Sequence, residues 1–384
     1  MAIEFAPSAR STMGVEWELA LIDRASGDLM PVAEHVLQAV CGQGQQEHPR
    51  IKQEMMTNMV EVITGVCRTA AEARADLTAS VTELRQATDP LDLELLSAGT
   101  HPFAQWAEQR VTPKPRYAEL INRTQWWGRH MMIFGVHVHV GVDHRDKVLP
   151  ILNSLLRYFP HLQALSASSP YWGGADTAYA SNRAMMFRQL PTAGLPYQFR
   201  RWEELEHYTA DMLTTGVIDE FNEIRWDLRP APHLGTIEMR VCDGVPTLDE
   251  IISLAAFTQC LVDDLNERLS AGEDLPTIPD WFVTENKWRA ARYGMEAIII
   301  TDDAGNERLV TEDLADELER LQPVAERLDC LDELAGVWDI VKAGASYQRQ
   351  RAVAMRHGGN LRAVVDSLVA EMKADRPLPD FSRS

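Results

Sequence analysis

In three stretches of this chain apolar and polar residues alternate with a period of two, the spacing of strands with one buried face. Over Gly14 to Asp23, Val15, Trp17, Leu19 and Leu21 share one face, with Glu16, Glu18 and Ala20 on the other. Phe134 to Val142 sets Val136, Val138 and Val140 against His137, His139 and Gly141. Gly235 to Asp243 sets Ile237, Met239 and Val241 against Thr236, Glu238, Arg240 and Cys242. Elsewhere the period is helical. Thr69-Ala-Ala-Glu72 reads as a capping box, and Ala73, Leu77, Val81 and Leu84 follow on one face of a helix to about Thr88. Thr247-Leu-Asp-Glu250 repeats the signal and opens a long apolar helix toward Ser270. Beyond Trp281 the pattern predicts helices around a small hairpin, Ile298 to Val310, turned at Asp303-Ala-Gly-Asn306.

Together these elements predict an α+β fold in which an antiparallel sheet covers a core with its apolar face and lines a cleft with its ionisable one. No internal repeat, low-complexity tract or long Ser/Gly linker interrupts the sequence. One continuous domain over residues 1–384 is expected, with a mainly helical C-terminal portion from about 281.

Charge narrows the partners. With 37 basic against 57 acidic side chains in 384 residues, the net charge is −20, a poor match to a polyanionic backbone. Nucleic acid is not an expected partner. The most apolar stretch, Ile251 to Phe257, falls far short of the ~20 residues that cross a bilayer. The first ten residues carry Glu4, Pro7 and Ser8 where a secretory signal needs a basic start and an apolar run, so a cytoplasmic location is expected. Cys41, Cys67, Cys242, Cys260 and Cys330 are odd in number and never form a CxxC pair, which predicts core thiols and neither a disulfide framework nor a thiolate zinc site.

The polar strand faces carry the candidate chemistry. Glu16 and Glu18 project the same way from roots ~6.5–7 Å apart, suited to two neighbouring cations or to a solvated face. His137 and His139 also share a face, where neutral imidazole binds divalent metal, donates to phosphate or simply satisfies a sheet margin. Glu238 and Arg240 are an anion and a cation on one face, open to reading as a salt bridge. Glu54 and Glu61 stand seven apart, an odd spacing that needs a turn or bulge within Met55-Met-Thr-Asn-Met59 if both are to point one way. A ligand collection rich in carboxylates, with few histidines and no thiolates, favours Mg²⁺ or Mn²⁺, the ions that escort nucleotide phosphates. Neither GxxxxGK[ST] nor a strand-to-helix GxGxxG is present, so nucleotide would be gripped through carboxylate-bound metals and arginines.

At these residues the sequence resembles the bacterial carboxylate–amine ligases of the glutamate–cysteine ligase type 2 group, which share the glutamine-synthetase-like catalytic fold. The matching segments are Gly14-Val-Glu-Trp-Glu-Leu19, Lys52-Gln-Glu54 through Met59-Val-Glu61, Gly99-Thr-His-Pro-Phe103, Gly135-Val-His-Val-His-Val-Gly141, Ser181-Asn-Arg183, Trp226-Asp-Leu-Arg-Pro230 and Gly235-Thr-Ile-Glu-Met-Arg240. The resemblance implies ATP-dependent joining of a carboxylate, typically the γ-carboxylate of glutamate, to the amine of cysteine, with release of ADP and phosphate. It implies that Glu18, Glu54 and Glu61 hold one cation and Glu16, His137 and Glu238 another, with His139 and Arg240 touching the transferring phosphate.

The chemistry follows from charge: a carboxylate repels a nucleophile and its oxygen leaves poorly, so ATP first converts it into an acyl phosphate, which an amine then opens. No enzyme nucleophile is needed, and no GxSxG elbow is present. Arg183 is the leading candidate for gripping phosphate or a substrate carboxylate, ahead of Arg229 and Arg292, while His101 either lines the cleft or caps a turn. A metal-dependent hydrolase and a non-catalytic nucleotide- or amino-acid-binding relative are the alternative functions. A homo-oligomer is expected only on general frequency.

Overall fold

The alternating segments become the centre of one sheet in the computed structural model, which describes residues 2–41 and 47–381. In chain order the strands are β1 (Met13–Asp23), β2 (Ile51–Gln53), β3 (Met59–Ile63), β4 (Leu93–Leu96), β5 (Gly135–Gly141), β6 (Tyr171–Trp172), β7 (Ala175–Asp176), β8 (Leu228–Ala231), β9 (Thr236–Asp243), β10 (Ile298–Ile300) and β11 (Glu307–Leu309). Seven of them form the main sheet in the order β2-β3-β1-β5-β9-β8, with β4 paired to the last four residues of β1. Every pairing in it is antiparallel. The parallel strands on which a barrel hydrolase would mount its ligands are therefore absent from this sheet. The pairs β6–β7 and β10–β11 are separate two-stranded ladders, the latter being the expected hairpin.

Val15, Trp17 and Leu19 of β1, Val136, Val138 and Val140 of β5, and Ile237 and Met239 of β9 all face one apolar cluster. The helices Ala70–Thr88, Phe159–Ser166 and Leu248–Ser270 close over it. The last of these is buried for most of its length. Leu314, Leu321, Val337 and Ile340 from the C-terminal helices join the same cluster. A second cluster sets Ile22, Leu96 and Met132 against Val353, Val364 and Leu368.

Both capping boxes start helices, each with a twist of its own. Thr69 accepts from the Glu72 N–H at 3.2 Å, but the Glu72 carboxylate reaches past Thr69 to the Arg68 N–H at 2.7 Å. Thr247 accepts from the Glu250 N–H at 3.2 Å, while Glu250 turns its other oxygen to buried Arg349 at 2.9 Å. Two expectations need correction. A bulge shifts the β5–β9 register between Val136 and Val138, and the extra residue returns Cys242 to the core face, where it is fully buried, instead of the polar face that strict alternation gives it. Cys41 is only half-buried, because it ends the helix Ala33–Cys41; the other four thiols are buried and all five are free.

Candidate active site

Sheet register brings the polar faces of five strands together. Glu16 stands across from His137 and Gly14 from His139 in the β1–β5 pair. His139 stands across from Glu238 between β5 and β9, Arg229 from Glu238 between β8 and β9, and Glu18 from Glu61 between β1 and β3. Adjacent strands lie roughly 4.7–4.9 Å apart, so these side chains must meet. Of these, Glu16, Glu18, Glu61, His137 and Arg229 line a cleft of about 680 Å³, together with Glu54 and Arg240.

The tightest group is Glu16, His137 and Glu238, which offer ligand atoms all within 4.8 Å of one another, the only such set among the described residues. Glu16 Oε2 is 2.8 Å from His137 Nδ1, and Glu16 Oε1 is 3.3 Å from His139 Nε2. Burial would push the Glu16 carboxyl up, yet its hydrogen bonds to the two histidines hold it well below the usual carboxylate range. Burial and the neighbouring Arg240 push His137 down to about 4, leaving a neutral ring at pH 7. With Nδ1–H donated to Glu16, that ring keeps its Nε2 lone pair for a ligand. Against the cost of burial, Arg240 and then Arg229 hold Glu238 well below its ordinary value. Arg229 Nε donates to Glu238 Oε2 at 2.7 Å, and Arg240 donates to Oε1. His139 is raised despite its burial, since Glu238 and Glu16 favour its charged form, and its Nδ1 lies 2.9 Å from Thr236 Oγ1.

Glu18, Glu54 and Glu61 behave oppositely. Burial and the nearby Glu54 raise Glu18 to about 8, against the opposing pull of Arg183 and the Gly135 N–H, which donates to Glu18 Oε2 at 2.5 Å. Burial raises Glu54, and burial with repulsion from Glu54, Glu16 and Glu18 raises Glu61 well above the carboxylate range. Like charges packed this way are short of a cation. The odd spacing of Glu54 and Glu61 is accommodated by a hairpin: Lys52 pairs with Glu61 and Gln53 with Val60, so Glu54 begins the turn beyond β2. Its backbone oxygen accepts from Thr112 Oγ1 at 2.7 Å, which anchors that turn.

The remaining candidates separate. Arg229 lines the cleft. Arg183 is buried under β5, where its guanidinium donates to the Arg240 and Val241 carbonyls at 3.4 Å and fills the space that a Cβ at Gly135 would need. Glycine at 135 is thus a close-approach requirement. Arg292 donates to the Ala178 carbonyl and lies over the Tyr179 and Tyr293 rings, outside the cleft lining. His101 is fully buried, held to the Gly27 carbonyl at 2.9 Å and accepting from the Ala104 N–H at 3.0 Å, so of its two expected roles it caps the turn. Arg116 and Tyr117, on the helix Pro115–Thr124, and Arg123 and Arg225 also line the cleft. Sequence reasoning passed over all four, because helix and loop positions show no period-two face.

The sheet and the helices packed on it have the glutamine-synthetase-like fold. The chain matches the glutamate–cysteine ligase of Francisella tularensis, solved in complex with AMP, with a TM-score of 0.65 over 97% of this chain and 93% of that one, at 14% identity. It matches a bifunctional glutathione synthetase from Pasteurella multocida with a TM-score of 0.68 over 94% of this chain and 52% of that one, at 17% identity. Residues 12–367 fit the family model described as glutamate-cysteine ligase family 2 (GCS2). Over 378 residues the chain is 60% identical to the "Putative glutamate--cysteine ligase 2-1" of Arthrobacter sp. (strain FB24), which covers 97% of this chain and 99% of that one. The chain belongs to glutamate-cysteine ligase family 2.

Proposed function

We propose that the protein is an ATP-dependent carboxylate–amine ligase that joins the γ-carboxylate of glutamate to the amine of cysteine through an acyl phosphate, releasing ADP and phosphate. The observation that carries this reading is the convergence of Glu16, His137 and Glu238 within 4.8 Å in the cleft, with Arg240 and Arg229 bonded to Glu238. The donors fit Mg²⁺ or Mn²⁺: one depressed carboxylate pair with a neutral imidazole, and a second set, Glu18, Glu54 and Glu61, whose mutual repulsion a cation would relieve. Bound there, such ions would neutralise phosphate charge.

The chain's own groups supply the rest. Arg240 and His139 would stabilise negative charge on the γ-phosphoryl group as it leaves ADP for the substrate carboxylate oxygen. The amine then attacks the acyl carbon and phosphate departs. Arg183, bonded to the carbonyl of Arg240, acts as a positioning residue. Among the described residues no helix is long and apolar enough to cross a bilayer.

The test is product formation with Mg²⁺ or Mn²⁺ across pairs of amino acids. ADP and phosphate should appear only when both an acid and an amine are present, with glutamate and cysteine the best pair. Release of AMP and pyrophosphate would reject the acyl phosphate, and nucleotide binding without turnover for any pair would reject the ligase.

A further inference from the structure

Four arginines gather at one end of the cleft. Arg123, Arg225, Arg229 and Arg240 all line it and interact with one another. Arg229 and Arg240 share Glu238. Arg123 Nη1 lies 3.7 Å from Glu223 Oε2, and Glu223 Oε1 is already taken by the Asp219 and Glu220 N–H groups at 2.8 and 3.3 Å. Arg123, Arg229 and Arg240 are thus each paired with a carboxylate, whereas Arg225 forms no ion pair among the described residues.

Arg225 is nevertheless held firmly. Its backbone N–H donates to Thr192 Oγ1 at 3.0 Å, that hydroxyl donates to the Glu223 carbonyl at 2.6 Å, and Arg225 Nη1 donates to the same carbonyl at 3.0 Å. Thr192 sits at φ 67°, a costly conformation for a β-branched residue that this bonding sustains. One edge of the guanidinium is fixed to the loop, and its remaining donors have no partner among the described residues. A planar, pre-positioned cation of this kind grips an oxyanion with two parallel hydrogen bonds.

That oxyanion is a carboxylate or a phosphate, and position decides between them. Arg229 and Arg240 belong to β8 and β9 and bond Glu238 beside the metal-ligand group, where transferring phosphate would lie. Arg225 lies off the sheet, in the segment between the short helix Phe221–Glu223 and β8. We propose that Arg225 receives the second, non-reacting carboxylate of the acid substrate, so that the cleft selects a dicarboxylate over a monocarboxylate. The inference rests on the ligase reading and adds the residue that fixes the far end of its acid.

The experiment is a pair of binding titrations, L-glutamate and 4-aminobutyrate, against the full chain with Mg²⁺ and a non-hydrolysable ATP analogue; the second ligand keeps the reacting carboxylate and lacks the other. Wild type should prefer glutamate. Arg225→Gln should lose glutamate affinity on the order of 10–100-fold, with 4-aminobutyrate and nucleotide affinity unchanged. Arg225→Lys keeps the charge without the fork, should show an intermediate loss, and serves if the Gln variant misfolds. Equal glutamate affinity in the variants, no preference in the wild type, or a fall in nucleotide affinity alone overturns the proposal. Turnover of glutamate and cysteine that ignores Arg225 also overturns it while leaving the ligase reading intact. Arg225-dependent glutamate binding with no amide product for any amine rejects the ligase reading and keeps the receptor.

Discussion

Glu16 and His137 face each other across the β1–β5 ladder with Oε2 and Nδ1 2.8 Å apart. The contact holds Glu16 ionised while burial and Arg240 keep His137 neutral, the two states that metal binding requires. His139, one pleat away on the same face, is raised toward its charged form by Glu238 and Glu16. The two rings should therefore respond differently to loss. His137→Ala should raise the half-saturating Mg²⁺ or Mn²⁺ concentration, whereas His139→Ala should chiefly lower kcat at saturating metal, by about 2.7–4 kcal/mol if it acts as a transition-state donor. Metal titrations of both variants check this, and equal shifts would make both rings ligands.

Glu238 tests a different balance. It is buried between Arg229 and Arg240 and is their shared counter-ion, which extends to two arginines the salt bridge that the sequence left open. Glu238→Ala should strand two largely buried guanidinium groups and cost about 3–5 kcal/mol. Chemical denaturation without metal measures it. A midpoint equal to wild type would show that water replaces the ion pairs without loss.

What the sequence could show divides along the same line. Strands β1, β5 and β9 were legible because half-burial writes itself as alternation, and the helices at Thr69 and Thr247 because caps have a fixed spacing. Alternation put Glu16, Glu18, His137 and Glu238 on polar strand faces and left Glu54 and Glu61 at an odd interval; only the family resemblance joined the six into ligand sets, and all six lie in or beside the cleft. The bulge opposite Val136 and Val138 has no such signature, since an extra residue changes the phase without changing composition, and so Cys242 was misplaced. Arg116, Arg123 and Arg225 reach the cleft from a helix and a loop, where tertiary placement alone distinguishes them from surface arginines. Glu238 shows that a charge pattern gives residue positions but not which of their neighbours cancel them.

The set of raised carboxylates makes stability depend on pH. Glu18 titrates near 4.5 unfolded and is pushed up to about 8 in the metal-free fold by burial and by Glu54. A folded pKa above the unfolded one contributes stability that is complete below about 4.5 and is lost as pH rises through about 8. With a chelator present, wild type should lose melting temperature over this window, and Glu18→Gln should lose less of it. Mg²⁺ should restore the alkaline loss and displace roughly one proton near pH 7, read by calorimetry in two buffers of different ionisation heat. Identical pH profiles for wild type and Glu18→Gln would rule out Glu18 as a source of the dependence.

The last prediction concerns how the C-terminal helices are joined to the sheet that carries the site. Arg349, in the helix Ser346–Arg356, is buried and grips Glu371 of the helix Leu361–Ala374 with two bonds of 2.7 and 2.9 Å. Its Nη2 also bonds Glu250, near the start of the central helix Leu248–Ser270, at 2.9 Å. Removing the guanidinium leaves two buried carboxylates facing each other without a counter-charge, a loss of about 3–5 kcal/mol. If residues 1–384 fold as one unit, as the unbroken sequence suggests, Arg349→Ala should shift the whole urea unfolding curve to a lower midpoint with a single transition. Arg349→Lys, which keeps the charge but not the fork, should fall between that variant and wild type. Fluorescence and far-ultraviolet circular dichroism should report the same midpoint in each protein. Two separated transitions, the first affecting helix content while the tryptophans near the sheet stay buried, would show instead that the C-terminal helices form their own unit and that Arg349 only docks them.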